Sequence, residues 1–246
     1  MKRINSPRDI SLLQINQEEL LVIACDSAGG LGQKVQDQVK VSNRILGKYT
    51  VKVPLMEVMS LGAEIITVVD NLAVEYEPTG REIIAGIKES LALFDKCGCL
   101  NGSTEENIKT VQTALGITVI GKTTLKKLKR YTSSPKNNII AAVGLPLVGD
   151  DLLQNKSQAV NFNKFLQLKK LNYIDQFLPV GSKGILYEAK ILAAENNFDL
   201  KLIDTELDLE KSAGPAAVVL LSLPEKDLAK LKKEIELPLN KVGRLI

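Results

Sequence analysis

Positions 20–25, Leu-Leu-Val-Ile-Ala-Cys, form an apolar, β-branched-rich run that gives way at Asp26 to a carboxylate, followed by Gly29, Gly30, Gly32 and Lys34. A continuous run of this kind predicts a strand buried on both faces and ending at Asp26, which commits the chain to a sheet with an acid at a strand tip. Glycines tolerate positive φ and let the backbone approach a ligand, so successive N–H groups after the strand can converge on phosphate oxygens. Lys34 adds a point charge, and Asp26 is a hard oxygen ligand of the kind that holds Mg²⁺ against substrate phosphates. The same residues also suit a plain glycine-rich turn between two strands, with Asp as turn former.

The rest of the chain extends the alternation of strands and helices. Strand-like segments at 39–41 and 49–53 lead to a helix-like segment at 55–61 that stops at Gly62. Residues 64–70 repeat the opening arrangement, a buried-strand pattern ending on Asp70. Ile83, Ile84, Ile87, Leu91 and Phe94 fall at helical spacing. A loop is expected over 100–107 and a strand over 111–120. The polar stretch 131–138, with Pro135, is the best linker, dividing the chain into expected domains at 1–135 and 136–246. Beyond it come strands at 139–143 and 216–221, helices near 158–169 and 184–196, and a helix starting at Pro224. The fold class expected is α/β (α+β), a mixed-sheet amino-terminal domain followed by a smaller α/β domain.

Composition removes several function classes. The chain has no histidine, so His-based triads, His zinc sites and a His general base are excluded, and protons must move through carboxylate, lysine, tyrosine, cysteine or water. Three cysteines fit a reducing compartment, and Cys97-Gly-Cys99 is too closely spaced for a usual structural zinc pair. A net charge of +3 and 4% aromatic residues argue against a nucleic-acid partner, and the basic stretch 122–130 reads as a solvated face. No apolar run has the length of a membrane span and the amino terminus lacks a signal-peptide core, so no membrane partner and a cytoplasmic location are expected.

Residues 116–123, Gly-Ile-Thr-Val-Ile-Gly-Lys-Thr, satisfy the Walker A pattern of a P-loop. The four residues between the glycines are all β-branched and belong in a strand rather than a phosphate loop, which argues against that reading. The acids are more informative as a set. Asp26, Glu57, Asp70 and Glu105 are each placed at a strand tip, on a short helix or in a loop beside small residues. Together they match a site that holds Mg²⁺ against a triphosphate, where positioning and charge neutralisation supply most of the catalysis.

The stretch 26–34 resembles the glycine-rich ATP motif of the aminoimidazole ribonucleotide synthetase superfamily. Residues 57–64, Glu-Val-Met-Ser-Leu-Gly-Ala-Glu, are similar to its Asn-Asp-x-x-x-x-Gly-Ala-Glu segment, with Glu57 where the family usually has a metal-binding aspartate; Asp70 falls on its next acid. Residues 101–105, Asn-Gly-Ser-Thr-Glu, are similar to its Gly-Gly-Glu-Thr loop, with the order altered. In the second half, residues 149–152 and 212–215 are suggestive of the family's carboxy-terminal domain. The resemblance implies an ATP- and Mg²⁺-dependent kinase that transfers a phosphoryl group to an alcohol on a small nucleoside-like substrate, working as a homodimer built through its sheet. It further implies Asp26, Asp37, Glu57, Asp70 and Glu105 as metal ligands, and Ser27, Gly29, Gly30, Gly32, Lys34, Asn101, Gly102, Ser103 and Thr104 as nucleotide contacts. Asp26, Asp70 and Lys34 are the expected catalytic residues, and the turn at Ser182, Lys183 and Gly184 is a candidate substrate contact. A different enzyme of the same superfamily, a thiamine-monophosphate kinase or an ATP-dependent cyclo-ligase, is the nearest competing expectation, and a non-catalytic nucleotide-binding assembly protein is another; the second domain is short for a ligase, and intact acids disfavour the non-catalytic reading.

Overall fold

The computed structural model describes residues 2–246, which divide into two compact units. The first comprises Ile10–Met59 and Ala63–Thr123 with the amino-terminal strand; the second comprises Asn5–Asp9, Ser60–Gly62 and Thr124–Ile246. The division falls between Thr123 and Thr124, upstream of the polar stretch that suggests a boundary at 135. Ser134 and Asn138 are buried within the second unit, where Ser134 Oγ donates to Gln176 Oε1 (2.5 Å) and Asn138 Nδ2 donates to Asp175 Oδ2 (2.7 Å). Polar composition there marks a hydrogen-bonded seam rather than a free linker.

The first unit runs β1 (Lys2–Ile4), β2 (Ser11–Gln14), β3 (Glu19–Gly29), β4 (Leu31–Gly32), β5 (Val39–Lys40), α1 (Asn43–Ser60), β6 (Glu64–Leu72), α2 (Arg81–Ala92), β7 (Leu100–Thr104) and β8 (Ala114–Thr124). Its main sheet has six strands in the order β1-β2-β3-β8-β6-β7. Strands β1/β2, β2/β3 and β6/β8 pair antiparallel, and β6/β7 pair parallel. Strand β3 does not end at Asp26 but continues to Gly29, and it is not buried on both faces: Leu20, Val22 and Ala24 are buried while Cys25 is exposed. That alternation belongs to a sheet covered on one side.

Two local expectations are corrected by tertiary context. Residues 49–53, read as a strand, lie inside α1, which passes through Pro54 without stopping. Leu46, Val51, Leu55, Met56 and Val58 are buried, so the burial of this helix offsets both its β-branched residues and the hydrogen bond Pro54 cannot donate. Residues 100–104, read as loop, form β7, an edge strand that pairs parallel to β6 along one side. Helix α2 follows its periodicity, with Ile83, Ile87 and Leu91 fully buried. The two helices approach closely: a Cβ on Gly47 would collide with the Ile83 carbonyl, and one on Gly86 with the Arg44 carbonyl.

The second unit contains α3 (Leu125–Tyr131), β9 (Ile139–Val143), α4 (Gly149–Gln154), α5 (Phe162–Leu168), β10 (Gln176–Pro179), α6 (Gly184–Glu195), β11 (Leu200–Leu202), β12 (Val219–Leu223), α7 (Leu228–Glu234) and β13 (Leu239–Leu245). Its five strands form an antiparallel sheet in the order β10-β12-β9-β13-β11. Ile185, Ala189 and Leu192 of α6 join Ile140, Ala142, Leu220 and Val242 in one core. Among the described residues, no helix is long and apolar enough to cross a membrane.

Candidate functional site

Asp26 lies on the inward face of β3, in step with Leu20, Val22 and Ala24, and Asp70 is the inward residue of β6 between Val68 and Leu72. Both lie level with the same point of β8, the strand between them. Asp70 registers with Ile117, and a Cβ on neighbouring Gly116 would meet the Asp26 carbonyl at 4.0 Å. The two acids thus share one face of the sheet two strands apart, about 10 Å between backbones. Burial pushes both carboxyls up to about 6, against which Asp26 has only its hydrogen bond with the Ser27 amide and Asp70 chiefly its own amide and the charge of Lys88. Desolvated carboxylates of this kind favour a cation, since a nearby positive charge restores the ionised form.

Gly102 of β7 pairs with Asp70 and makes room for it. A Cβ at position 102 would fall on Asp70 Oδ1, so the carboxylate occupies the volume a side chain would fill. Around it is a pocket of about 280 Å³ lined by Asp70, Tyr76, Ile84, Lys88 and Leu100 through Thr104. Asn101, Gly102, Ser103 and Thr104, expected as nucleotide contacts in a loop, therefore line the pocket from an edge strand.

The glycine-rich segment is a folded loop whose own hydrogen bonds use several of its groups. Gly30 and Gly32 have φ of +72° and +140°. The Gly30 amide donates to Thr113 O (2.9 Å), and Gly30 O accepts from the Gln38 amide (2.7 Å). Asp37, expected as a metal ligand, is buried and holds this loop: it accepts from the Lys34 amide (2.8 Å), the Thr113 amide (2.7 Å) and Thr113 Oγ1 (2.7 Å). Burial is the largest influence on its titration and opposes ionisation, but these hydrogen bonds and the charge of Lys40 together keep its carboxyl below the ordinary range. Lys34, expected to meet phosphate, gives its ammonium to Glu75 Oε2 (2.5 Å) and Thr110 O (3.1 Å). Ser27 is exposed on the outward face of β3, and the Gly29 position is open.

The remaining acids are not gathered with Asp26 and Asp70. Glu105 is a partly exposed turn cap, accepting from the amides of Asn107 (2.8 Å) and Ile108 (3.1 Å), which hold its carboxyl down. Glu57 is half-buried within α1. Among the described residues, no three Asp, Glu or Cys side chains converge as a metal cluster, so the five-acid cage expected from the sequence is not assembled. Asp26 and Asp70 are the two desolvated carboxylates on the shared inward face, and the chemistry of each suits a divalent cation; of the two, Asp70 lines the pocket, while the Asp37 and Glu105 oxygens already serve loop amides.

Lys88, Tyr76 and Glu75 are missed by sequence reasoning. Lys88 follows Ile84 by one helical turn of α2 and faces the same pocket, a periodicity that was available. Tyr76 and Glu75 sit in an irregular segment with no motif. In the second unit, Lys183 precedes α6 with its Nζ 4.5 Å from the Tyr187 ring centroid.

The Walker-like residues form the continuous strand β8, and Lys122 is exposed, paired with Glu19 (2.8 Å). The phosphate-loop reading fails there because no loop separates the glycines. Residues 7–123 match the family model described as AIR synthase related protein, N-terminal domain. The matched residues span most of the first unit, which is thus similar to that domain family. Its Asp26, Asp70 and glycine loop all lie within the match. Thiamine-monophosphate kinase from Stenotrophomonas maltophilia resembles the chain with a TM-score of 0.62 at 18% identity, over 99% of this chain and 88% of that one. The thiamine monophosphate kinase of Aquifex aeolicus gives 0.61 at 12% identity, over 92% and 86%. T. maritima PurL complexed with ATP gives 0.56 at 13% identity, over 98% of this chain but 37% of that one. At these identities the likeness is one of fold. No curated protein matches the chain by sequence.

Proposed function

We propose that this chain is a Mg²⁺-dependent kinase that transfers the γ-phosphoryl group of ATP to the 5′-hydroxyl of α-ribazole, giving α-ribazole 5′-phosphate for salvage of a cobamide lower ligand. The observation that carries the kinase reading is the Asp70 carboxylate seated in the Gly102 niche at the pocket, with Asp26 level with it on the same face. The α-ribazole acceptor rests on the wording of three segments, residues 24–30, 55–64 and 101–107, which resemble α-ribazole kinase.

In this reading Asp26 and Asp70 hold the cation, and the glycine loop, kept in shape by Asp37, presents backbone to the phosphates. Bound Mg²⁺ supplies neutralisation of the phosphate charge. Lys88 adds a positive charge to the pocket wall. The acceptor hydroxyl attacks the γ-phosphorus, ADP departs, and the hydroxyl proton passes to a carboxylate; a loose transition state requires little base assistance. The chain acts in the cytoplasm as a homodimer through the uncovered sheet face, where Ile66 is 47% exposed and Cys25 is exposed.

A second reading, phosphorylation of thiamine monophosphate, is favoured by the fold likeness to two thiamine-monophosphate kinases along 86–88% of their lengths. Purified protein with Mg-ATP and each acceptor separates the two. ADP release with α-ribazole alone supports the proposal; release with thiamine monophosphate alone selects the second reading; release with neither sinks both.

A further inference from the structure

Cys97, Gly98 and Cys99 form a short 3-10 turn, Cys97–Cys99, between the end of α2 and the start of β7, and nothing in the proposed chemistry uses it. Both thiols are free; Cys97 is exposed and Cys99 partly buried. Cys97 Sγ donates to the Lys88 carbonyl (3.4 Å). The Cys99 sulfur is near the Val68 amide of β6, and its thiol is held up by burial against the charge of Lys96 and the amides of Cys99 and Val68. Thr67 Oγ1 donates to Cys99 O (3.0 Å), fixing the turn to β6. Where a Cβ would be on Gly98 there is open space, so nothing packed there resists rearrangement of the turn. Residues two apart in a 3-10 turn have Cα atoms roughly 5 to 6 Å apart, within the span of a disulfide.

We propose that Cys97 and Cys99 close into a reversible intrachain disulfide that acts as a redox switch at the hinge of β7. The oxidant is a small-molecule disulfide such as oxidised glutathione. The exposed Cys97 thiolate attacks one of its sulfurs, that S–S bond breaks, and the first thiolate leaves with the electron pair. Deprotonated Cys99 then attacks the Cys97 sulfur of the mixed disulfide and expels the second thiolate. The protein loses two protons and two electrons, and the small disulfide is reduced to two thiols. Closing so small a ring departs from relaxed disulfide geometry, which places the bond at the readily reduced end of the scale. The pair therefore stays open under reducing conditions and closes when the thiol pool is oxidised.

Closure removes the bond from Cys97 to the Lys88 carbonyl and draws Cys99 away from the Val68 amide. Lys88 and the residues from Leu100 to Thr104 line the Asp70 pocket, so the switch loosens two of its walls. The effect on nucleotide rests on the Mg-ATP reading of that pocket, whereas the disulfide and the movement of β7 do not.

The test titrates the full chain with oxidised and reduced glutathione, traps free thiols by alkylation and reads peptide masses. The peptide holding both cysteines is expected to lose about 2 Da and escape alkylation while Cys25 remains alkylated, with dithiothreitol reversing the change. Deuterium uptake at residues 100–104 should quicken by about tenfold on oxidation, and neither Cys97→Ser nor Cys99→Ser should respond. A persistent glutathione adduct on Cys97 with Cys99 still alkylated, a Cys25-linked dimer, or closure with unchanged exchange at 100–104 would each overturn the proposal. Nucleotide binding is measured on the same samples. Absence of binding by the reduced protein overturns the Mg-ATP reading alone, and binding that does not weaken on oxidation overturns the coupling to the pocket.

Discussion

At the scale of single residues, Asp70 shows how a neighbour's missing side chain creates a site. Its carboxylate occupies the space that a Cβ at position 102 would need, so Gly102→Ala must rotate or displace it. We expect that substitution to weaken Mg-ATP binding by roughly tenfold, about 1.4 kcal/mol, measured by titration calorimetry. Asp26 and Asp70 also fix a pH dependence. Both carboxyls are raised to about 6, so the folded state holds their protons more tightly than the unfolded chain does. Their contribution to stability is complete below about pH 4 and is lost as pH rises through about 6. Metal-free protein should therefore lose this contribution between about pH 4 and pH 7 in thermal unfolding, and Mg²⁺ affinity should rise over the same interval as the protons leave. Asp26→Asn should flatten the stability trend and abolish turnover while leaving the fold intact; near-native turnover at saturating Mg²⁺ would remove Asp26 from the metal site.

Elements are decided by what they bury. In α1, Val51 and Val53 beside Pro54 look like strand, yet the segment is helical because Val51, Leu55 and Val58 turn toward the core. Helix α2 was legible because Ile83, Ile87 and Leu91 carry the 3.6 period without a competing signal. The crossing of the two helices depends on Gly47 and Gly86, each under the other helix's backbone. Gly86→Ala should cost about 1–3 kcal/mol in chemical denaturation, since overpacking against backbone has no rotamer to relieve it. By contrast, Lys122→Ala on β8 removes only an exposed pair with Glu19 and should leave stability nearly unchanged, with unaltered turnover. A large loss of turnover would revive the Walker reading.

Across the whole molecule, the chain builds two units in an order the sequence does not announce. Residues 5–9 belong to the second unit although they precede most of the first. Arg8 explains the assignment: its guanidinium is buried, pairs with the equally sequestered Glu195 (2.7 Å) and donates to Phe177 O (3.0 Å). Glu195 also accepts from Gln176 Nε2 (2.8 Å), so removing the arginine strands a carboxylate within a network. Arg8→Ala should lower stability by about 3–5 kcal/mol in denaturant unfolding, whereas loss of an ordinary surface arginine would be near neutral. Sedimentation velocity tests the proposed homodimer, with a monomer at all concentrations overturning it.

The sequence by itself determined the mixed α/β class, that Asp26 and Asp70 lie on strands, and the failure of the Walker letters on β8; it put both acids at strand tips, whereas β3 runs on to Gly29 and β6 to Leu72. Each of these is local: a hydrophobic period or a β-branched run carries it within a few residues. Tertiary structure alone decided which acids are left desolvated. Asp37 and Glu105 carry the same charge as Asp26 and Asp70, but Thr113, Lys34, Asn107 and Ile108 supply amides that occupy their oxygens, while Gly102 and the neighbouring strands leave Asp70 desolvated at a pocket. Whether a carboxylate closes a loop or faces a ligand depends on partners brought from distant parts of the chain, and neither residue type nor spacing encodes that meeting.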